Sequence, residues 1–580
     1  MANVIGTLGK SVREYKKPSI LAPVFIIGEV LLECLIPLVM ASMINSMSGG
    51  DINIIIRDGV VLVVMAMLSL LCGSLSAKYA ATASTGLGKN LRQDLYEKIS
   101  DFSFADVDKF STSSLVTRMT TDVTNVVNAF QMIIRLGFRA PLMIIFSVIM
   151  AAAINKSMAT AFLGMIPILA IALIGIAAGV FPIFRVIFKK YDAMNNSVQE
   201  NISGIRVVKA FVRENFEINK FEKSAEEVRN DFTNAEKILA FNTPIMTFCI
   251  YLAILIVCGK GSKIIIDSTG LAMSSGDLSS LLTYGVQCLS ALMMVSMIFV
   301  MCMMAAESAE RIAEVLTSDS TLTSPENGLT TVASGDIDFD NVNFKYKETS
   351  SKYALSDINL HIKEGQTVGI LGGTGSSKTS LIQLIPRLYD VTNGSVKVGG
   401  KDVREYDLVT LRDAVSVVLQ KNVLFSGTIK ENLRWGNKEA TDEEMIRACK
   451  ISQADEFVSQ MPDGYDTYIE RGGTNVSGGQ KQRLCIARAI LKKPKVLIFD
   501  DSTSAVDTKT DALIRKGLAN DLPNTTKIII AQRVSSVEDA DIILVMDNGR
   551  IAEMGSHAEL MAKNGIYKEV YDSQTKGKED

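Results

Sequence analysis

Six stretches within residues 1–310 are apolar enough to cross a bilayer: Ile20–Asn45, Val60–Ala80, Ala140–Ile154, Met158–Phe184, Thr243–Ile266 and Ser279–Ala306. A hydrocarbon core takes about 20 residues of helix, and lipid admits only backbones that satisfy their own hydrogen bonds. The third run is short and is expected to begin earlier. No single soluble core can absorb six such runs, so the first half reads as a helical membrane domain. The first run is too long for a cleavable signal peptide and has no A-x-A-like exit.

The connections alternate in kind. Those after the first, third and fifth runs are short, and Asn155–Ser157 is barely a turn. Those after the second and fourth are long and charged. Lys10, Arg13, Lys16 and Lys17 precede the first run. The long links carry Lys89, Arg92, Lys98, Lys109 and Arg118, then Lys189, Lys190, Arg206, Lys209 and Arg213. The positive-inside rule puts both termini and both long links in the cytoplasm. The links keep helical periodicity, so the membrane helices should run on into the cytoplasm. Phe102–Val123 and Glu200–Glu217, which mix aromatic and charged residues, should lie near the turning points as docking surfaces.

From residue 336 the composition becomes that of a soluble α/β domain, reached through a linker at 319–335. Alternation in Gly335–Tyr346 argues strands. "QTVGIL" is a short apolar strand, and "GGTGSSKTS" follows it ahead of an apolar-periodic helix. This is the setting of a P-loop, in which successive backbone N–H groups and a helix N-terminus present positive charge to phosphate. The cradle is Gly372, Gly373, Thr374, Gly375, Ser376, Ser377, Lys378, Thr379 and Ser380. Lys378 would reach the outer phosphates and the Thr379 hydroxyl would hold Mg²⁺. In "PKVLIFDD" an apolar strand ends in Asp500, placed to hold the same ion from the other side. "NVSGGQKQRLCIARAI" is a glycine turn opening a basic helix.

The sequence Ser477-Gly478-Gly479-Gln480, after a P-loop and just before an aspartate-ended strand, resembles the signature of ABC transporter ATPases. Six spans with long cytoplasmic links, fused ahead of one such domain, resemble an ABC exporter half-transporter over essentially the whole chain. The resemblance implies an α-helical transmembrane domain (1–318) and an α/β P-loop ATPase domain (336–580) in a bacterial cytoplasmic membrane. It implies ATP and Mg²⁺ as ligands. Tyr346 matches the aromatic residue that stacks on adenine, and Gln420 the glutamine that contacts Mg²⁺. Glu470–Gly472 matches the stretch before the signature that touches the coupling loops, and Ser504–Asp507 the D-loop. Two such domains pair head to tail, so each signature serves the partner's ATP and a second half-transporter is required.

Three positions depart from the family pattern. Ser377 stands where the P-loop has glycine, Asp501 where the catalytic base is glutamate, and Gln532 where the switch is histidine. The chain's two histidines, His361 and His557, lie elsewhere. Aspartate is one methylene short, and a misplacement of about 1 Å can cost on the order of 10²-fold. Glutamine cannot carry an imidazolium charge. Serine is compatible with helical dihedrals, so binding should survive there with altered geometry. With Lys378, Thr379, Asp500 and Tyr346 all present, the expectation is retained ATP binding with weakened hydrolysis. An intact signature beside a weakened Walker site resembles one subunit of a heterodimeric exporter.

Glu29 and Glu33 share one face of the first span. Carboxylates at that depth must face a wet cavity or a cationic partner. Attraction of a cationic substrate is one reading; a structural pair is the other, with Arg135 and Arg139 as partners. The last span carries Met293, Met294, Met297, Met301, Met303 and Met304, a surface adaptable to varied apolar ligands or an ordinary core or lipid face. Glu29, Glu33, Met297 and Met301 are therefore the cavity candidates. The expected cargo is an amphipathic small molecule, with a lipid or peptide exporter, or an ATP-switched regulator, as alternatives. Net charge is −3 and the basic residues form no stripe, so nucleic acid is excluded as a partner. None of the eight cysteines forms a CxxC pair, which points to free thiols.

Overall fold

The computed structural model describes residues 2–49, 52–268, 272–347, 349–501 and 506–576. The chain divides into two compact units. The first is Met1–Ser100 with Thr112–Ser318; the second is Asp101–Ser111 with Asp319–Asp580.

In the first unit the spanning helices are Lys16–Gly49, Ile52–Ser100, Val123–Ile154, Lys156–Ser203, Asn242–Asp267 and Ser275–Thr317. Six among the described residues are long and apolar enough to cross a membrane. The second and fourth run far past their apolar runs, as the link periodicity requires. The third begins at Val123, well before its apolar centre. Asn155 alone separates the third and fourth. Its backbone is extended, and its Oδ1 accepts from the Ser157 and Met158 N–H groups, starting the new helix. Ser274 and Asp277 form a reciprocal capping box at the start of the last helix.

Proline shows how this unit holds together. Pro37 lies inside the first helix and has no N–H for the carbonyl one turn earlier. The last helix supplies side chains at helical spacing against that break. Ser280 donates to the Pro37 carbonyl (2.5 Å), Tyr284 to the Cys34 carbonyl (2.6 Å), and Gln287 Nε2 lies 3.5 Å from the Glu33 carbonyl. In lipid such cross-helix bonds take the place of water. Nearer the ends, fully buried Asp122, the residue just before the third helix, accepts from Ser308 (2.9 Å) and Arg311 (Nε, 2.9 Å) of the last helix.

Glu29 and Glu33 are also partnered. Arg139 on the third helix bonds Glu29 through Nη1 and both Glu33 oxygens through Nη2 at 2.8 Å. Glu29 is buried and the Glu33 side chain is 25% exposed. Glu29 and Glu33 thus tie the first helix to the third through Arg139, the arrangement expected of a structural pair. On the last helix Met297 is 50% exposed and Met301 half-buried, while Met294 packs against the core around Ile26 and Tyr284.

The second unit has two main sheets. A four-stranded antiparallel sheet runs Leu355–Ile362, Ile337–Phe344, Asn393–Val398, Lys401–Asp402. Its alternating residues Ile337, Phe339, Val342 and Phe344 are buried on one face. A six-stranded sheet runs Arg550–Gly555, Ile542–Asp547, Thr367–Gly372, Thr526–Ile530, Val496–Asp500, Val415–Val418, parallel except for its first strand. Val496–Asp500 and Thr526–Ile530 are buried at every position, as strands covered on both faces must be. A second core gathers Leu424, Leu433, Met445, Phe457 and Ile486 around the helix Gly478–Leu491. The eight cysteines are free thiols.

Candidate functional site

The site forms at the carboxyl ends of three neighbouring parallel strands, where an open α/β sheet leaves a crevice. Thr367–Gly372 delivers the P-loop, Val496–Asp500 the two aspartates, and Thr526–Ile530 the segment with Gln532.

Gly372 has φ +153° and Gly375 φ +83°, conformations that side-chain-bearing residues rarely adopt. A Cβ on Gly372 would lie 2.4 Å from the Met546 carbonyl oxygen. Ser377 has φ 71° and ψ 26°, in the left-handed region. This corrects the expectation that serine would sit there with helical dihedrals: the loop imposes on Ser377 the shape that glycine adopts freely. Gly373, Thr374 and Gly375 are exposed along the loop, and Ser376 and Ser380 are buried beneath it. Lys378 opens the following helix, and its ammonium donates to the Gly372 and Gly373 carbonyls, both at 2.8 Å. Burial holds its pKa below the usual lysine value, against the pull of Asp501 and Asp500.

The Thr379 hydroxyl donates to Asp500 Oδ1 at 3.0 Å. Octahedral coordination at 2.0–2.1 Å puts adjacent ligand oxygens about 2.9 Å apart, so this pair has the chemistry and spacing that Mg²⁺ requires. Asp500 is 3% exposed, and burial raises its pKa above the ordinary carboxylate value. A buried carboxylate short of positive charge fits a site for a hard cation. Gln420 stands beside this pair, its amide nitrogen 3.5 Å from Asp501 Oδ2.

Asp501 also has a left-handed backbone, φ 48°, and its N–H donates to the Ile530 carbonyl. The parallel register sets Ile530 opposite Asp500 and so brings Gln532 beside Asp501. Gln532 Nε2 donates to Asp501 Oδ2 at 2.7 Å. Two of the three departures therefore meet in one hydrogen bond, with Gln420 nearby.

Tyr346 is 47% exposed, and its hydroxyl shares a 2.7 Å hydrogen bond with Ser380 of the P-loop helix. Its ring packs edge-on against Phe344 and Tyr389, at centroid distances of 4.8 and 5.2 Å. Tyr389 donates to Asp108 at 2.8 Å and meets Phe104, both on the short helix Phe104–Phe110. Sequence reading placed a docking surface here but gave no sign that it met the tyrosine cluster; no motif marks Tyr389.

The signature lies away from the P-loop strand, at the start of the helix Gly478–Leu491. Ser477 caps that helix: its Oγ accepts from the Gln480 N–H at 3.3 Å, and Gln480 Oε1 accepts from the Ser477 N–H at 2.9 Å. Gly478 and Gly479 form the first turn, where the N–H groups have no carbonyl within the helix to bond. Ahead of it, Lys481 donates to the Gly472 carbonyl at 2.7 Å and the Thr474 hydroxyl to Glu470 at 2.8 Å. Of the D-loop, Ser504 lies outside the described residues. Asp507 caps the helix Thr508–Asp521 by accepting from the Thr510 N–H, and hydrogen bonds from the Thr510 hydroxyl and N–H lower its pKa.

Six membrane-crossing helices followed by this phosphate cradle, buried aspartate and capped signature define a membrane protein with a fused ABC-type ATPase. Residues 19–305 match the ABC transporter transmembrane region, and residues 355–504 match the ABC transporter ATPase family. The chain is 34% identical over 555 residues to the ABC transporter ATP-binding protein YfiB of Bacillus subtilis, covering 96% of each chain. It is 34% identical over 578 residues to an ABC transporter ATP-binding protein of Mycobacterium tuberculosis, covering 99% of this chain and 98% of the relative. It is 30% identical over 579 residues to the probable multidrug resistance ABC transporter ATP-binding/permease protein YheI of Bacillus subtilis, with 99% and 98% covered. The chain belongs to the ABC transporter family, as an exporter half-transporter with fused membrane and ATPase domains. It is a multi-pass membrane protein with bacterial homologues; half-transporters of this kind dimerise, and their ATPase domains bind ATP, typically with Mg²⁺.

Proposed function

We propose that the chain is the weakly hydrolytic subunit of a heterodimeric exporter in a bacterial cytoplasmic membrane, carrying amphipathic small molecules outward. The observation that carries this reading is the clasp of Asp501 by Gln532, 2.7 Å from amide nitrogen to carboxylate oxygen. A general base needs its carboxylate within hydrogen-bond reach of the attacking water. In this chain the carboxylate is a methylene short and already accepts from a neutral amide. Gln532 brings no positive charge to a γ-phosphate.

Binding has more support than hydrolysis. The P-loop amides and Lys378 would cradle the phosphates, and Tyr346 would stack on adenine. Thr379 and Asp500 would hold Mg²⁺, which neutralises phosphate charge when bound. Lys378 would exchange the Gly372 and Gly373 carbonyls for phosphate oxygens, so its ammonium stays bonded in both states. The signature turn would offer the Gly478 and Gly479 N–H groups to the partner's nucleotide, with Asp507 at the same interface. ATP held here would keep the two ATPase domains together while the partner's site cuts its own ATP. The multidrug reading draws on the likeness to YheI and on the exposed Met297; Glu29 and Glu33 are left as a helix tie.

The test is the ATPase rate of the reconstituted pair. Asp501→Asn in this chain should leave most of it intact, and neutralising the glutamate at the partner's equivalent position should abolish it. Equal losses from the two changes would show two working sites.

A further inference from the structure

Gln532 is itself held, from the far end of the chain. The last described helix, Ile566–Lys576, ends beside the segment that carries it. Gln574 Nε2 donates to the Gln532 carbonyl at 2.9 Å, and Gln574 Oε1 accepts from the Val534 N–H at 2.9 Å. One side-chain amide thus brackets the backbone on both sides of Arg533.

The segment needs such a partner. Val534–Ser536 is a single 3₁₀ turn, and Arg533 at its start makes no side-chain cap. Val534 is 2% exposed, so its N–H requires an acceptor within the protein. The helix that supplies it is fixed at its other end. Glu553 accepts from the Ile566 and Tyr567 N–H groups at 2.6 and 3.1 Å. The fully buried Tyr567 shares a 2.6 Å hydrogen bond with His557. Tyr567, Val570, Tyr571 and Gln574 follow helical spacing, so the apolar face that enters the core carries Gln574 with it.

We infer that Gln574 is a positioning residue for the switch segment: it fixes the backbone from which Gln532 projects, and so decides whether the Gln532 amide stays within reach of Asp501 and of a bound γ-phosphate. The inference rests on the reading of Gln532 as the switch residue. It predicts that the C-terminal helix tunes how long ATP, but not ADP, stays on this chain's P-loop. The γ-phosphate is the part of the nucleotide that this segment addresses, so ADP is the internal control.

The experiment uses the full-length chain in lipid nanodiscs, with Mg²⁺ and the fluorescent probes mant-ATP and mant-ADP, followed by stopped-flow displacement. Gln574→Met keeps length and removes both hydrogen bonds. Mant-ATP should then leave about tenfold faster, the scale set by two modest hydrogen bonds, while mant-ADP release is unchanged. Gln574→Glu keeps the acceptor for the Val534 N–H but sets an oxygen against the Gln532 carbonyl, and should give an intermediate rate. In a Gln532→Ala background, Gln574→Met should add nothing, because the positioned side chain is gone. Equal acceleration of both nucleotides, an undiminished effect in the Gln532→Ala background, or no acceleration at all would each overturn the inference. Should Gln574→Met lose mant-ADP binding through misfolding, Gln574→Glu carries the same comparison. None of these readouts needs hydrolysis or the partner chain, so the outcome is separate from that of the two-site ATPase test.

Discussion

Ser377→Gly separates a strained residue from a disabled one. Ser377 holds φ 71° and ψ 26°, and a left-handed backbone costs a side-chain-bearing residue about 1–2 kcal/mol. Glycine removes that cost but gives back roughly 0.5–1 kcal/mol through its larger freedom in the unfolded chain. The net expectation is a gain of about 0.5–1 kcal/mol. For a domain of this size that corresponds to a rise of about 1–4 °C in the ATPase domain's unfolding temperature. Nucleotide affinity should behave differently. The cradle needs the left-handed shape whether or not phosphate is present, so the strain enters free and bound states alike and cancels. Mant-ATP titration of the full-length variant should therefore shift by less than about threefold, under 0.7 kcal/mol. A variant that bound ATP more than about tenfold tighter, with no rise in unfolding temperature, would refute the reasoning. It would show that the serine side chain, not backbone strain, obstructs the phosphate.

Other perturbations read other parts of the molecule. Burial raises the pKa of Asp500, so its ionised form costs the fold stability at neutral pH, and that cost fades as pH falls through the folded-state value toward the ordinary 3.8. Asp500→Asn should thus raise the unfolding temperature at neutral pH, lose that advantage in acid, and abolish Mg²⁺-dependent tightening of ATP; a pH series of melting curves with and without Mg²⁺ checks all three. Arg139→Met strips the common partner from Glu29 and Glu33 and leaves mostly buried carboxylates unpaired, a loss on the order of 3–5 kcal/mol. It should appear as low yield of folded protein in detergent, recovered when Glu29→Gln and Glu33→Gln are added.

Much of this architecture could be read from local pattern. Hydropathy runs announced the spans. The P-loop, the aspartate-ended strand and the signature announced the ATPase, because each motif is contiguous and its chemistry is short-range. Failures came where a residue's meaning depends on distant chain. The third span is expected to begin before Ala140, but Arg135 and Arg139 interrupt its apolar run and hide how far; Arg139 is tolerated there through Glu29 and Glu33, more than a hundred residues away. Ser377 was assigned ordinary helical dihedrals because sequence shows residue type and not the torsion its neighbours impose. Gln574 and Tyr389 carry no motif; their roles arise only when strands and helices pack. Asp501 and Gln532 were legible as departures, but their direct bond was not.

The short helix Phe104–Phe110 has a consequence for how the molecule is made. It belongs by its contacts to the same compact unit as the nucleotide site, yet it leaves the ribosome before most of the membrane helices and long before Tyr389. The bond between Tyr389 and Asp108 closes a loop of 281 residues, and loop-closure entropy makes such contacts late ones. The aromatic cluster beneath Tyr346 is therefore finished only after Tyr389 has been synthesised, by which time all six membrane helices have been made. Until then the aromatic face of the short helix lacks its partner, and apolar surface left open on an incomplete chain is prone to aggregation.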